Sequence, residues 1–287
     1  MKDALKLLME INKVRITVAV MLTTIAGYVL AKHTIDAEII LPVLGLFILA
    51  CGSAALNHYQ DRDRDALMDR TKNRPVPSGR ISAGNVLVIA IIEIALGTYL
   101  IWLGSNFLAA QLGILALIWY NGIYTPLKRK TAFAVIPGSV IGSLPPMVGW
   151  VAGGGSIADP RLFILAFFFF IWQVPHFWLL MLKYGKEYEK AGYPSITAMI
   201  SKQRIRQATF MWTAATAISA LMVAVSGLLD TVIFKMIILF ASIWLIIVFS
   251  KLLRKKPTDF NPFFYFMRIN YFVLVMILVL SIEPLVR

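Results

Sequence analysis

Residues 41–65 read LPVLGLFILACGSAALNHYQDRDRD. An uncharged run from Leu41 to Leu56 is long enough to enter a bilayer as a helix, and it empties without a linker into a charged segment. Asn57, Asp61, Asp65 and Asp69 then recur every fourth residue. At about 100° per residue this step drifts by about 40°, so Asn57, Asp61 and Asp65 share one face of a continuing helix. Carboxylates stacked on one face repel one another. A divalent cation relieves that repulsion, and Asp61 and Asp65 offer the hard oxygens that suit Mg2+, an ion that shares its shell with phosphate oxygens.

The rest of the chain extends the same pattern. With 59% hydrophobic and 15% charged residues among 287, the composition is that of a polytopic membrane protein. Apolar runs predict nine spans at about 14–31, 38–57, 83–103, 107–123, 133–153, 162–182, 208–229, 231–250 and 264–282, all helical because lipid offers the backbone no hydrogen bonds. Basic residues crowd the amino-terminal segment and the loops after the second, fourth, sixth and eighth spans, the last of these with Lys251, Arg254, Lys255 and Lys256. The opposite side has only Lys32, Arg161 and Arg287. An odd number of spans with the amino terminus in the cytoplasm and the carboxyl terminus outside follows from this alternation, and the expected location is the inner (cytoplasmic) membrane. Topology and attraction to anionic lipid account for the net charge of +13, with no need for nucleic acid. Cys51 is the single cysteine, so there is no internal disulfide and no thiolate metal cluster. The amino-terminal segment does not read as a removable signal. No linker or low-complexity tract divides residues 1–287, which are expected to form one helical domain.

The long loops on the basic side direct attention to that face. After Asp69 come Arg70, Lys72 and Arg74, cations placed to bind an anion that a metal also holds, as a diphosphate requires. Arg70 and Arg74 would point the same way if the helix ran on to Thr71 or beyond. The competing reading is a solvated helix end laced with Asp/Arg pairs, and it suits Arg62, Asp63, Arg64 and Asp69 best. Trp172-Gln173-Val174-Pro175-His176-Phe177 puts a histidine inside a span, where an ionisable group marks either a functional site or a hydrogen bond between helices. Glu187 and Glu189, on the basic side, could add oxygen ligands, although a two-residue separation sends them to different faces. Glu93, also within a span, is ambiguous. Tyr120-Asn121-Gly122-Ile123-Tyr124-Thr125-Pro126-Leu127-Lys128-Arg129 combines interfacial tyrosines with cations that could close over an anion. The fifth span is rich in Pro and Gly, including Pro137, Gly138, Gly142, Pro145, Pro146, Gly149 and Gly153, which fits either close packing or a cavity lining.

Asn57-xxx-Asp61-xxx-Asp65, Asp69-Arg-Thr-Lys-Asn-Arg74-Pro75, Tyr124-Thr-Pro-Leu-Lys-Arg129, Pro145-Pro-Met-Val-Gly-Trp150, Trp172-Gln-Val-Pro-His-Phe177 and Tyr188-xx-Ala191-Gly192-x-Pro194 together resemble the UbiA superfamily of intramembrane prenyltransferases. The likeness is strongest to the members that farnesylate haem. It implies nine helices around a central cavity and transfer of farnesyl from farnesyl diphosphate to haem B, with Mg2+ as cofactor. On that basis Asn57, Asp61 and Asp65 would hold the metal-diphosphate, Glu187 standing where many relatives have an aspartate pair. Arg70, Arg74, Lys128 and Arg129 would neutralise the leaving group, and His176 and Tyr124 would face the acceptor. A quinone-precursor or other lipid acceptor is the first alternative, and a membrane transporter the second.

Overall fold

The computed structural model describes residues 2–254 and 261–286. Lys255, Lys256 and Arg287, three of the charges that fix the expected topology, lie outside the described residues. Among the described residues, an amphipathic helix α1 (Lys2–Ile11) precedes nine helices that are long and apolar enough to cross a membrane. These are α2 (Val14–Lys32), α3 (Ile40–Asp65), α4 (Ala83–Gly104), α5 (Phe107–Leu127), α6 (Ala132–Ala152), α7 (Pro160–Lys190), α8 (Lys202–Val225), α9 (Val232–Ser250) and α10 (Pro262–Val286). No strand occurs among the described residues, and each expected span has its helix. The expected borders differ most at three of them: α3 continues to Asp65 and α7 to Lys190, while α8, expected at 208–229, runs from Lys202 to Val225, so that each carries charged turns beyond the apolar run. α4, α5 and α8 open on side-chain caps from Ser82, Asn106 and Ser201, which satisfy amides that no helical carbonyl reaches.

Between apolar helices in lipid, close approach of small residues replaces the hydrophobic drive of a soluble core. α3 and α4 meet along Gly45, Gly52 and Gly97, where any side chain would run into the facing backbone. α2 and α6 do the same: a methyl on Gly149 would overlap the Thr24 carbonyl, and one on Gly27 the Pro146 carbonyl. The choice left open for the fifth span is therefore settled as packing at Gly149 and Gly153, which abut α2 at Thr24 and Tyr28. Gly149→Leu is expected to cost about 3 kcal/mol or more by forcing these backbones apart. Its yield of monodisperse protein in detergent should collapse, and a wild-type elution profile would show that the interface yields. Large apolar side chains such as Val88, Ile91 and Leu103 of α4 point outward, as a lipid-facing surface requires.

Candidate active site

Asp61 and Asp65 sit on the last turns of α3 and are 4% and 2% exposed, so the acidic face turns into the bundle and not into solvent. Two buried carboxylates need partners. Asp61 accepts hydrogen bonds from Lys128 Nζ, from Arg129 Nη2 at 3.1 Å, from Asn57 Nδ2 at 2.8 Å and from the Tyr193 hydroxyl at 3.2 Å. Asp65 accepts from Arg74 Nη1 at 2.7 Å. Asn57 is itself held at its Oδ1 by Lys13 Nζ at 2.7 Å, and its Nδ2 also donates to Thr125 Oγ1 at 3.2 Å.

Four elements bring these groups together. Span α5 changes from α to π geometry over Ile118–Tyr124, a local widening that recurs at functional sites. The widened turn is pinned to α3 by amides: Ser53 Oγ donates to Asn121 Oδ1 at 2.6 Å, Asn121 Nδ2 donates to Gln60 Oε1 at 3.0 Å, and Gln60 Nε2 donates to the Asn121 carbonyl at 3.0 Å. Thr125, Lys128 and Arg129 consequently emerge beside Asp61, with Arg129 also donating to the Gln60 carbonyl at 2.5 Å. The chain after α3 turns back, tied by Thr71 Oγ1 to the Asp65 carbonyl at 2.8 Å, and returns Arg74. Beyond α7, Gly192 adopts φ +73°, a left-handed turn that a side chain would strain, and swings Tyr193 inward. Lys13 joins α1 to α2 at φ 47°, an unusual backbone state for a residue with a side chain. Burial, reinforced by the positive charges of Arg74 and Lys128, pulls the Lys13 amine down to about 7. Burial likewise lowers Lys128, opposed by Asp61, and raises the Tyr193 phenol, which stays a donor.

Next to the charged cluster stands an aromatic wall. Lys128 Nζ lies 5.7 Å from the centre of the Tyr124 ring, Tyr124 stacks on Tyr120 at 5.9 Å, and it meets Phe177 at 6.0 Å. Phe177 meets His176 at 5.6 Å, and His176 in turn touches Trp172 at 5.1 Å and Phe266 of α10 at 4.7 Å. His176 Nδ1 is 2.9 Å from Asn270 Oδ1, which leaves the other ring nitrogen clear of that bond.

The structure thus gathers Asn57, Asp61, Asp65, Arg74, Lys128 and Arg129, and puts Tyr124 and His176 on the adjoining wall. It separates two others. Helix α3 ends at Asp65, so Arg70 and Arg74 do not share a helical face: the Arg70 guanidinium lies over the Tyr184 ring at 4.9 Å. Glu187 Oε2 accepts the Arg70 amide at 3.0 Å, and no cluster of three acidic, histidine or cysteine ligands occurs among the described residues. Asp69 and Asp63 are solvated ion-pair partners, of Lys72 at 2.7 Å and Arg62 at 3.6 Å. Arg64 differs from the solvated reading, since its guanidinium covers the Tyr193 ring at 4.6 Å. Glu93 accepts from Asn12 at 2.7 Å, a bond that ties the turn between α1 and α2 to α4. Lys13, Tyr120, Thr125 and Tyr193 are members of the site that sequence reasoning missed.

The model of the UbiA prenyltransferase family matches residues 20–272. A protein named protoheme IX farnesyltransferase from Geobacter sulfurreducens is 37% identical over 208 residues, 72% of this chain and 77% of that one. Another of that name from Nitratidesulfovibrio vulgaris is 34% identical over 244 residues, 84% of each chain. Among solved structures, a digeranylgeranylglyceryl phosphate synthase superposes with a TM-score of 0.79 at 16% identity over 99% of both chains. A UbiA homolog from Archaeoglobus fulgidus bound to DMAPP and Mg2+ gives 0.74 at 15% identity over 98% of this chain and 99% of that one. In fold and in sequence, this multi-pass membrane protein belongs to the UbiA prenyltransferase family.

Proposed function

We propose that this chain transfers the farnesyl group of farnesyl diphosphate to a vinyl group of haem B, giving haem O and diphosphate. The observation that carries the reading is a buried pair of carboxylates, each paired with a cation, beside an aromatic wall that leads to His176. Its support in relatives is the shared name of the Geobacter and Nitratidesulfovibrio proteins. Family membership removes the transporter alternative, and a quinone-precursor acceptor remains as an outcome of the test.

The donor set suits Mg2+: two carboxylates and an amide oxygen, all hard, with phosphate oxygens to complete the shell. Asp61, Asp65 and the Asn57 carbonyl would hold it, and when bound it neutralises charge that builds on the departing diphosphate. Glu187 is given a different role, fixing the turn that returns Arg74. Lys13, Arg74, Lys128 and Arg129 bind the remaining phosphate oxygens, so that negative charge released as the C1–O bond breaks meets cations already in place. Tyr120, Tyr124 and Phe177 present ring faces to allylic cation character at C1 and exclude water from it. The vinyl carbon attacks C1, and water adds to the resulting carbocation with loss of a proton, leaving the hydroxyethylfarnesyl side chain. We place the site on the cytoplasmic side of the inner membrane with the carboxyl terminus outside, a reading supported by the basic loops.

Purified protein given Mg2+, farnesyl diphosphate and haem B should form haem O by mass spectrometry. Product only with a quinone precursor would replace the acceptor, and no product with any acceptor would remove the reaction. His176→Ala is expected to lower kcat/KM for haem by about tenfold or more with diphosphate affinity unchanged. Equal loss of both would reduce His176 to a packing residue.

A further inference from the structure

On the outer surface of the bundle, α9 and α10 leave between them a groove of about 600 Å3 lined by Phe240, Ala241, Trp244, Tyr271 and Val275, with Arg268 the lining residue nearest the start of α10. Phe249 of α9 packs edge-on against Tyr265 of α10 at 5.2 Å, which fixes the level of the two antiparallel helices. Arg268 lies one turn further along α10 from Tyr265, below the end at which α10 begins. From there the groove runs past Trp244 toward Phe240 and Val275, along both helices into the apolar part of the bundle.

Arg268 makes no ion pair among the described residues. Its guanidinium instead lies over two ring faces, Phe264 at 4.2 Å and Tyr271 at 5.8 Å. The acidic group of α10, Glu283, is near the opposite end and accepts from the Asp230 and Thr231 amides. A guanidinium keeps its charge at every working pH, and at membrane depth that charge requires an anion. Rings that hold it by the face leave its N–H edge available, the edge that matches a phosphate bidentately. An apolar, aromatic channel leading away from that edge has the shape and chemistry of a site for one acyl chain.

We propose that the α9–α10 groove is a binding site for an anionic phospholipid of the inner leaflet, with the phosphate on Arg268 and an acyl chain lying against Trp244 and Phe240. Nothing in this assignment depends on the reaction described above, because the groove opens to lipid on the outside of the bundle.

The test is native mass spectrometry of delipidated protein offered equal amounts of phosphatidylglycerol and phosphatidylcholine. Wild type should retain phosphatidylglycerol over phosphatidylcholine by about fivefold, the preference one interfacial arginine supplies. Arg268→Gln should bind both equally, Arg268→Lys should keep most of the preference, and Ala241→Phe, which fills the groove while leaving the charge, should lose the retained lipid of either kind. All three are expected to elute and melt as wild type does, so a lost lipid is not a lost fold. Wild type without a preference, or Arg268→Gln with an undiminished one, overturns the proposal. So does displacement of the lipid by haem B or farnesyl diphosphate, or a wild-type dimer that Ala241→Phe dissolves, since these assign the groove to a substrate or to a second copy.

Discussion

Asp61→Asn yields a folded protein whose farnesyl transfer is slower by about 10³-fold, the scale set by removing a preorganised charge from a buried site. Asparagine keeps the size of the side chain and an acceptor oxygen for Arg129 or Tyr193, but abolishes the negative charge that opposes Lys128 and that the proposed metal site requires. Alanine is the less informative change. It would leave Lys128 and Arg129 without their acceptor in a buried position, at a cost of about 3–5 kcal/mol, and so confuse loss of chemistry with loss of structure. The measurement is turnover against Mg2+ concentration, with thermal melting alongside. Slow turnover with an unchanged melting profile is expected, and near-normal turnover at ordinary Mg2+ would remove Asp61 from the metal site.

Lys128→Met is expected to lower kcat by about 10²-fold with a smaller change in KM for farnesyl diphosphate. Among the cations of the site, Lys128 touches the Asp61 carboxylate and also lies over the rings of Tyr124 and Tyr193, at 5.7 and 5.8 Å. It therefore stands at the border between the charged cluster and the aromatic wall, where the bond between C1 and the diphosphate oxygen would break. Charge appearing there is stabilised more in the transition state than in the bound substrate, which places the effect on kcat. Methionine preserves the reach and apolar stem of lysine without its charge. A loss confined to KM would show that Lys128 serves binding alone.

The spans were legible because each is a long apolar run bounded by charge, and the inward face of α3 was legible because a four-residue spacing survives in a regular helix. The same spacing continues in sequence through Arg70 and Arg74 after the helix has stopped at Asp65, so the condition for their sharing a face is not met. Lys13 could not be found by pattern. It stands before α2 in a stretch that looks like an interfacial leader, and only the left-handed backbone between α1 and α2 delivers its amine to Asn57. Tyr193 stands at the unspecified position between Gly192 and Pro194, and its contact with Asp61 depends on the turn at Gly192. Helical periodicity also gives no account of where Thr125 and Lys128 point, since the π turn over Ile118–Tyr124 shifts everything after it relative to a regular helix. The amide ladder of Ser53, Asn121 and Gln60 that holds this turn is a tertiary feature between residues more than sixty positions apart.

Asp61 and Asp65 are matched by Lys128, Arg129 and Arg74, and Lys13 is held on Asn57. A magnesium-chelated pyrophosphate ester would then enter by a swap of partners, in which the carboxylates would turn to the metal and their basic neighbours to the oxyanions. Because opposite charges would replace one another on each side of such a swap, no stage of it would leave acids alone together in the protein interior, the electrostatic penalty that a nest of unpaired carboxylates would incur.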